Sequence, residues 1–267
     1  MLLASIFYIF ALFISVASAL NLEEGQLPKK AEVYYKCVKP GTFAITFDDG
    51  PFEYGRGLLE WLNKNKLKAT FFYNGEGWGK IENYKDHVRR VFASGHLIGS
   101  HTWSHKDLTK LNETEAKEEM TKLENAFKEI IGVRPKYMRP PFGSTDEKTL
   151  QLLGELGYYV INWNVDSMDW LYNDLAKEQE QYRKALNGTD PKKEGHISLQ
   201  HEVYKTTVDD LAPWVYKYVK ELGYKPVTVA ECLGHCNPRN CMLCTARNRQ
   251  ISEKHQKNQD IATYIIL

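Results

Sequence analysis

At 267 residues, 43% of them apolar and 26% charged, the chain has the length and composition of a single globular catalytic domain with a sizeable core. Its 35 Lys and Arg offset 34 Asp and Glu to a formal charge of +1, and no basic tract is long enough to track a phosphate backbone, so the balance argues against nucleic acid as a partner. Residues 1–19, MLLASIFYIFALFISVASA, carry no charge and end in Ala17-Ser18-Ala19, the small-x-small pattern that signal peptidase cuts. They read as a signal peptide. No positive residue precedes the apolar run, so a retained signal anchor is the alternative. No later segment is long and apolar enough to span, and no stable membrane span is expected after cleavage.

Beyond that segment, strand-like and helix-like runs alternate. Thr42 to Phe47 (TFAITF) predicts a first strand, and Leu58, Leu59 and Leu62 mark a helix after it. Ala69 to Tyr73 predicts a second strand, followed by helical spacing at Val88, Val91 and Phe92, and Leu97 to Ser100 a third. From Glu113 to Ile131, the residues Met120, Leu123, Phe127, Ile130 and Ile131 form one apolar stripe that Gly132 is placed to end. Lys136 to Met138, Tyr158 to Val165, His196 to Leu199 and Lys225 to Val229 predict strands four to seven. Helical segments near Leu150 to Leu156 and Val208 to Leu222, and a weaker one between Leu171 and Leu186, fill the later gaps. Repeated β/α units of this kind imply a parallel sheet, and seven of them imply a barrel. An open doubly wound sheet is the alternative, but no glycine-rich phosphate loop supports it.

The five cysteines, Cys37, Cys232, Cys236, Cys241 and Cys244, all follow the signal segment. In an oxidising compartment they read as disulfide material with one thiol over. The last four, with His235 among them, offer a small zinc site as an alternative, although their spacing fits none of the common zinc modules. Asn112-Glu113-Thr114 and Asn187-Gly188-Thr189 are potential glycan acceptors.

Polar residues gather at the predicted strand ends. Asp48-Asp49 ends the first strand, His101 follows the third, Arg139 ends the fourth, Asp166 the fifth and His201 the sixth. In a parallel barrel these ends form one rim, so residues distant in sequence would meet there. His101 and His105 are four apart, and a helical turn would bring them onto one face. Two imidazoles and a carboxylate make a common catalytic zinc set, whereas hydrogen-bonded or surface histidines are the plain reading. Gly50-Pro51 lets the strand end bend, so that Asp48 and Asp49 need not point to opposite faces. One could hold metal while the other serves as base, and their spacing does not say which; a turn whose carboxylates only accept backbone hydrogen bonds is the alternative. No serine or cysteine nucleophile with a base is evident.

Five motifs occur in order: TFDDG at Thr46 to Gly50, HTWSH at His101 to His105, RPPFG at Arg139 to Gly143, DSMDW at Asp166 to Trp170, and LQH at Leu199 to His201. On these the chain resembles the polysaccharide deacetylases of carbohydrate esterase family four, and most closely their chitin deacetylase branch. The likeness runs roughly from Cys37 to Cys232 and implies a distorted (β/α)7 barrel, a single catalytic domain placed at residues 35–235. It assigns Asp49, His101 and His105 to a divalent metal, zinc first, with cobalt or nickel as alternatives. Asp48 becomes the general base, oriented by Arg139, and His201 the acid that protonates the departing amine, with Asp166 holding and charging its imidazole. The metal and the backbone N–H of Phe142 would stabilise the oxyanion. Leu199 and Trp170 would wall the pocket for the acetyl methyl, and Asp169 is assigned a structural part. The resemblance also pairs Cys37 with Cys232 in a disulfide. That leaves Cys236, Cys241 and Cys244, in a partly disordered Cys-containing tail over 236–267 that departs from the family pattern, to form one bridge and a spare thiol.

The implied activity is removal of acetyl groups from β-1,4-linked N-acetylglucosamine units, with chitin or chitooligosaccharide as substrate, by a secreted or wall-associated monomer. A catalytically silent homologue that binds wall polysaccharide, and a deacetylase of xylan or peptidoglycan, are the other readings.

Overall fold

The structure, a computed structural model, describes residues 30–235. The predicted signal peptide and the tail cysteines Cys236, Cys241 and Cys244 lie outside these residues. In chain order the first elements are β1 (Val33–Tyr34), β2 (Thr42–Ala44), β3 (Thr46–Asp48), α1 (Gly55–Lys64), β4 (Thr70–Tyr73), α2 (Lys85–Ala93), β5 (Leu97–Ser100) and α3 (Glu113–Ile131). There follow β6 (Tyr137–Met138), α4 (Glu147–Glu155), β7 (Tyr159–Ile161), β8 (Val165–Asp166), α5 (Asp169–Tyr172), α6 (Leu175–Ala185), β9 (His196–Leu199), α7 (Ala212–Glu221), β10 (Lys225–Val227) and α8 (Val229–Cys232).

Every strand pairing is parallel. One sheet has the order β1-β7-β6-β5-β4-β3 and the other β10-β2-β9-β8. They join where β2 runs on into β3 through Ile45, and at the strand ends, where Asp48 N–H donates to Gln200 O at 2.9 Å and Glu202 N–H donates to Asp48 O at 3.2 Å. The result is a distorted barrel. Strands covered on both faces read as unbroken apolar runs rather than alternating ones, as β4 (TFFY, wholly buried) illustrates. Phe43, Ile45, Phe47 and Phe71 pack with Leu58, Leu62, Leu123 and Phe127 from the helices in the largest core cluster. Helix α3 has the predicted bounds: Asn112 and Glu115 close a capping box at its start, and Gly132 ends it at φ 72°.

Two predicted strands are each broken in two. The first divides at Ile45. The fifth, expected over 158–165, stops at Ile161 and resumes at Val165, because the intervening polar groups bond elsewhere. Arg139 donates to the carbonyls of Ile161 and Asn162, and the Asn164 side-chain oxygen accepts from Ile197 N–H. The short β1, α5 and α8 are not expected from the sequence, and the seventh strand, expected over Lys225 to Val229, stops at Val227 because Thr228 caps α8 by accepting from Glu231 N–H.

A disulfide joins Cys37 to Cys232 across 195 residues of sequence. It ties the segment before β2 to α8 after β10. A cross-link around so long a loop restricts the unfolded chain strongly, so replacing both cysteines with alanine is expected to cost ~2–5 kcal/mol of stability, read as a lowered urea midpoint.

Candidate active site

Strand alternation would send Asp48 and Asp49 to opposite sides, but Asp49 lies in the left-handed region at φ 70°. That turn brings both carboxylates to the rim. Asp48 is buried, and its Oδ1 accepts from Arg139 Nη1 at 2.8 Å. Arg139 is itself wholly buried, yet its guanidinium is well bonded: Nη1 also reaches Thr46 Oγ1 at 2.6 Å, and Nε reaches Ile161 O at 3.2 Å. Phe72 and Trp163 lie over its planar group at 4.5 and 5.4 Å. A buried ion pair is tolerable only when its remaining polar atoms are satisfied in this way.

The HTWSH segment is not a helix. His101 follows β5, and a loop with Thr102 at φ 68° and His105 at φ 56° returns the second ring beside the first, 4.8 Å between centroids. Glu119 on α3 holds this loop by accepting from Ser104 N–H and Oγ–H, each at 2.7 Å. Asn74 holds it from the other side by donating to His101 O at 2.5 Å. His101 Nδ1 lies 2.7 Å from Arg139 O, which can only accept, so Nδ1 carries the hydrogen and Nε2 presents its lone pair to Asp49.

Asp49 Oδ1 sits 3.5 Å from His101 Nε2 and 3.4 Å from His105 Nε2. One ligand atom from each of the three residues falls within 4.8 Å of the others. Asp49 Oδ1 is buried with no hydrogen-bond partner among the described residues. Burial opposes its charge, but the rings of His101, His201 and His105 outweigh that and hold the carboxyl well below the usual carboxylate range. A buried carboxylate oxygen without a hydrogen-bond partner, facing the Nε2 atoms of two imidazoles, fits a divalent cation, and two nitrogens with one carboxylate suit zinc with a position left open.

His201 corrects an expectation. Its imidazole is held by Asp169, not by Asp166: Nδ1–H donates to Asp169 Oδ1 at 2.7 Å, and His201 N–H donates to Oδ2 at 2.7 Å. Thr207 Oγ1 and Trp170 N–H complete the bonding of the same wholly buried carboxylate. Met168 is left-handed at φ 59°, and the reversal there turns Asp169 inward. The Asp166 carboxylate is instead engaged by Trp163 Nε1 at 3.1 Å and Met168 N–H at 2.8 Å. Burial disfavours a charged His201 ring, but Asp169 first, then Asp49 and Asp48, outweigh it and raise the group to about 9.

Phe142, in a left-handed turn at φ 60°, is 69% exposed and edges His105 at 4.9 Å between centroids. Trp170 is 51% exposed on α5, while Leu199 is buried at the end of β9 beside Asp166. Among the residues that hold the site, Asn74 and Glu119 escaped sequence reading: an asparagine after a strand and a glutamate in a helix carry no local mark of such contacts.

A second carboxylate and a carboxylate-bound imidazole beside the three clustered donors are groups that hydrolysis requires, and comparison with known proteins narrows the class. The family model described as polysaccharide deacetylase matches residues 35–161. A chitin deacetylase of Pestalotiopsis sp is 43% identical over 229 residues, covering 84% of this chain and 74% of its own length. A probable peptidoglycan-N-acetylglucosamine deacetylase of Arthroderma benhamiae is 40% identical, covering 76% of this chain and 46% of its own. The solved structure of the chitin deacetylase from Colletotrichum lindemuthianum superposes with a TM-score of 0.75 at 38% identity, covering 79% of this chain and 95% of that one. The chain belongs to the polysaccharide deacetylase family.

Proposed function

We propose that this protein is a secreted, metal-dependent N-deacetylase of β-1,4-linked N-acetylglucosamine polymers, with chitin or its oligosaccharides as substrate. The observation that carries the reading is the meeting on one rim of the Asp49, His101 and His105 donors with Asp48 and the Asp169-bound ring of His201. In this reading the three donors hold zinc, or cobalt or nickel in its place. The bound cation supplies Lewis acidity toward the acetamide carbonyl and lowers the cost of deprotonating the attacking water.

The chain's own groups do the rest. Asp48, fixed through Oδ1 by Arg139, keeps Oδ2, which lies 3.8 Å from His101 Nε2, to take the proton of the attacking water. His201, locked through Nδ1 by Asp169, gives its proton from Nε2 to the amine nitrogen as the carbon–nitrogen bond breaks. The Phe142 backbone N–H is assigned to the developing oxyanion, and Leu199 and Trp170 to the acetyl methyl.

The chitin deacetylases among the relatives support the choice of polymer, and the uncharged apolar segment at 1–19 supports secretion to a wall or medium. Among the described residues no helix is long and apolar enough to cross a membrane. Asn112 and Asn187 are both exposed, as glycan acceptors must be. The peptidoglycan-directed relative favours a second reading, in which the same chemistry acts on peptidoglycan N-acetylglucosamine.

The test is acetate release by purified protein supplied with zinc or cobalt, on chitooligosaccharides of several lengths and on peptidoglycan fragments. Metal-dependent release from the chitooligosaccharides is expected. No acetate from any of them, with release from peptidoglycan, would transfer the assignment to the second reading; no acetate from either would refute both.

A further inference from the structure

Glu202 follows His201, is wholly buried, and has no part in the chemistry above. Its Oε1 accepts the Phe52 N–H at 3.0 Å, and its own N–H donates to Asp48 O at 3.2 Å. These two bonds bracket Asp49, Gly50 and Pro51 and close the turn from beneath. The fit is tight: a Cβ placed on Gly50 would fall 2.1 Å from Glu202 Oε1, and one on Gly55 would fall 2.7 Å from the same atom. Both positions can only be glycine while this carboxyl occupies the space they leave.

The turn needs such support. A non-glycine residue held in the left-handed region costs ~1–3 kcal/mol and persists where its surroundings over-determine it. Asp49 is that residue, and on its far side Asn74 N–H donates to Gly50 O at 2.8 Å, which anchors the turn from the opposite wall. We propose that Glu202 is a positioning residue for the metal centre, stapling Asp48 to Phe52 so that the Asp49 carboxylate stays turned toward His101 and His105. The inference rests on the reading that those three residues hold a divalent cation.

Burial, ahead of the bonds from Phe52 and Tyr73, pushes the Glu202 carboxyl up to about 8. The side chain therefore works as a neutral acceptor, which a glutamine reproduces. Groups that orient metal ligands typically contribute ~10–100-fold to metal affinity. Glu202→Met fills the volume but removes the acceptor, and Glu202→Gln keeps it.

The experiment titrates zinc alone into metal-free protein against a chromophoric chelator, with circular dichroism to verify folding. Glu202→Met is expected to bind zinc ~10–100-fold more weakly than wild type, and Glu202→Gln within about threefold of it. Wild-type affinity in folded Glu202→Met, or equal losses in the two variants, would overturn the inference. Should Glu202→Met fail to fold, Glu202→Asp replaces it: the shorter arm withdraws the acceptor from Phe52 and is expected to show the same loss, and wild-type affinity there would overturn the inference equally. A wild-type protein that binds no zinc would instead refute the metal reading itself, so the two failures are distinct.

Discussion

Asp49→Asn is expected to lose zinc and Asp48→Asn to keep it, although the two residues are neighbours. Asp49 Oδ1 is buried, faces both imidazoles and has no hydrogen-bond partner among the described residues, as a ligand oxygen in the proposed reading would. Losing a ligand should weaken zinc by more than the ~100-fold that removing a mere orienting partner can cost, and acetate release should fall with it. Asp48 already spends Oδ1 on Arg139. An asparagine there keeps an oxygen for that bond, so the fold and the three donors persist. Turnover should nevertheless fall ~10²–10⁴-fold, the usual contribution of a positioned base. Zinc stoichiometry measured beside acetate release separates the pair. Zinc retained by Asp49→Asn, or unaltered turnover in either variant, would contradict the division of roles.

The second large effect concerns His201. In wild type the ring keeps its proton up to about 9, so acid catalysis should persist through neutral pH and decline as pH rises through that value. Asp169 is the strongest of the groups raising it. A cation held by Asp49 would offset the pull of that carboxylate but not the pull of Asp169, which bonds the ring directly at 2.7 Å. In Asp169→Asn the main raising influence disappears while burial, which lowers the value, remains. The alkaline limb of kcat/KM should therefore move to lower pH. The carboxamide can also present its NH2 to Nδ1 and stabilise the wrong tautomer, which should add to a loss of up to ~10⁴-fold at neutral pH. Asp166→Asn, by contrast, should leave the limb in place, since Asp166 is bonded to Trp163 and Met168. A pH–rate profile of the two variants checks this, and a shift in Asp166→Asn with none in Asp169→Asn would return the holding of His201 to Asp166.

The strand positions and the long helix could be read from the chain because their signals are local. Strands covered on both faces are apolar throughout, and α3 carries its stripe, its cap and its terminal glycine within itself. The break at 162–164 could not be read, because it is made by the guanidinium of Arg139, just after β6, and by a pairing with β9, both remote in sequence. Likewise the spacing of His101 and His105 pointed to the right neighbours through the wrong geometry. A helical turn and a loop with two left-handed residues both close four positions, and Glu119 and Asn74 select the loop.

From the amino-acid order came the parallel barrel, the five motifs on its carboxyl-terminal rim and the family they mark, since apolar periodicity and motif succession are written along the chain. The choice among equivalent acids was settled elsewhere. That Asp169 rather than Asp166 meets His201, and that Asp49 Oδ1 faces His101 and His105 while Asp48 Oδ1 meets Arg139, follow from backbone reversals at Met168 and Asp49. Those conformations are unfavourable locally and exist only because distant strands, packed into one barrel, hold them there.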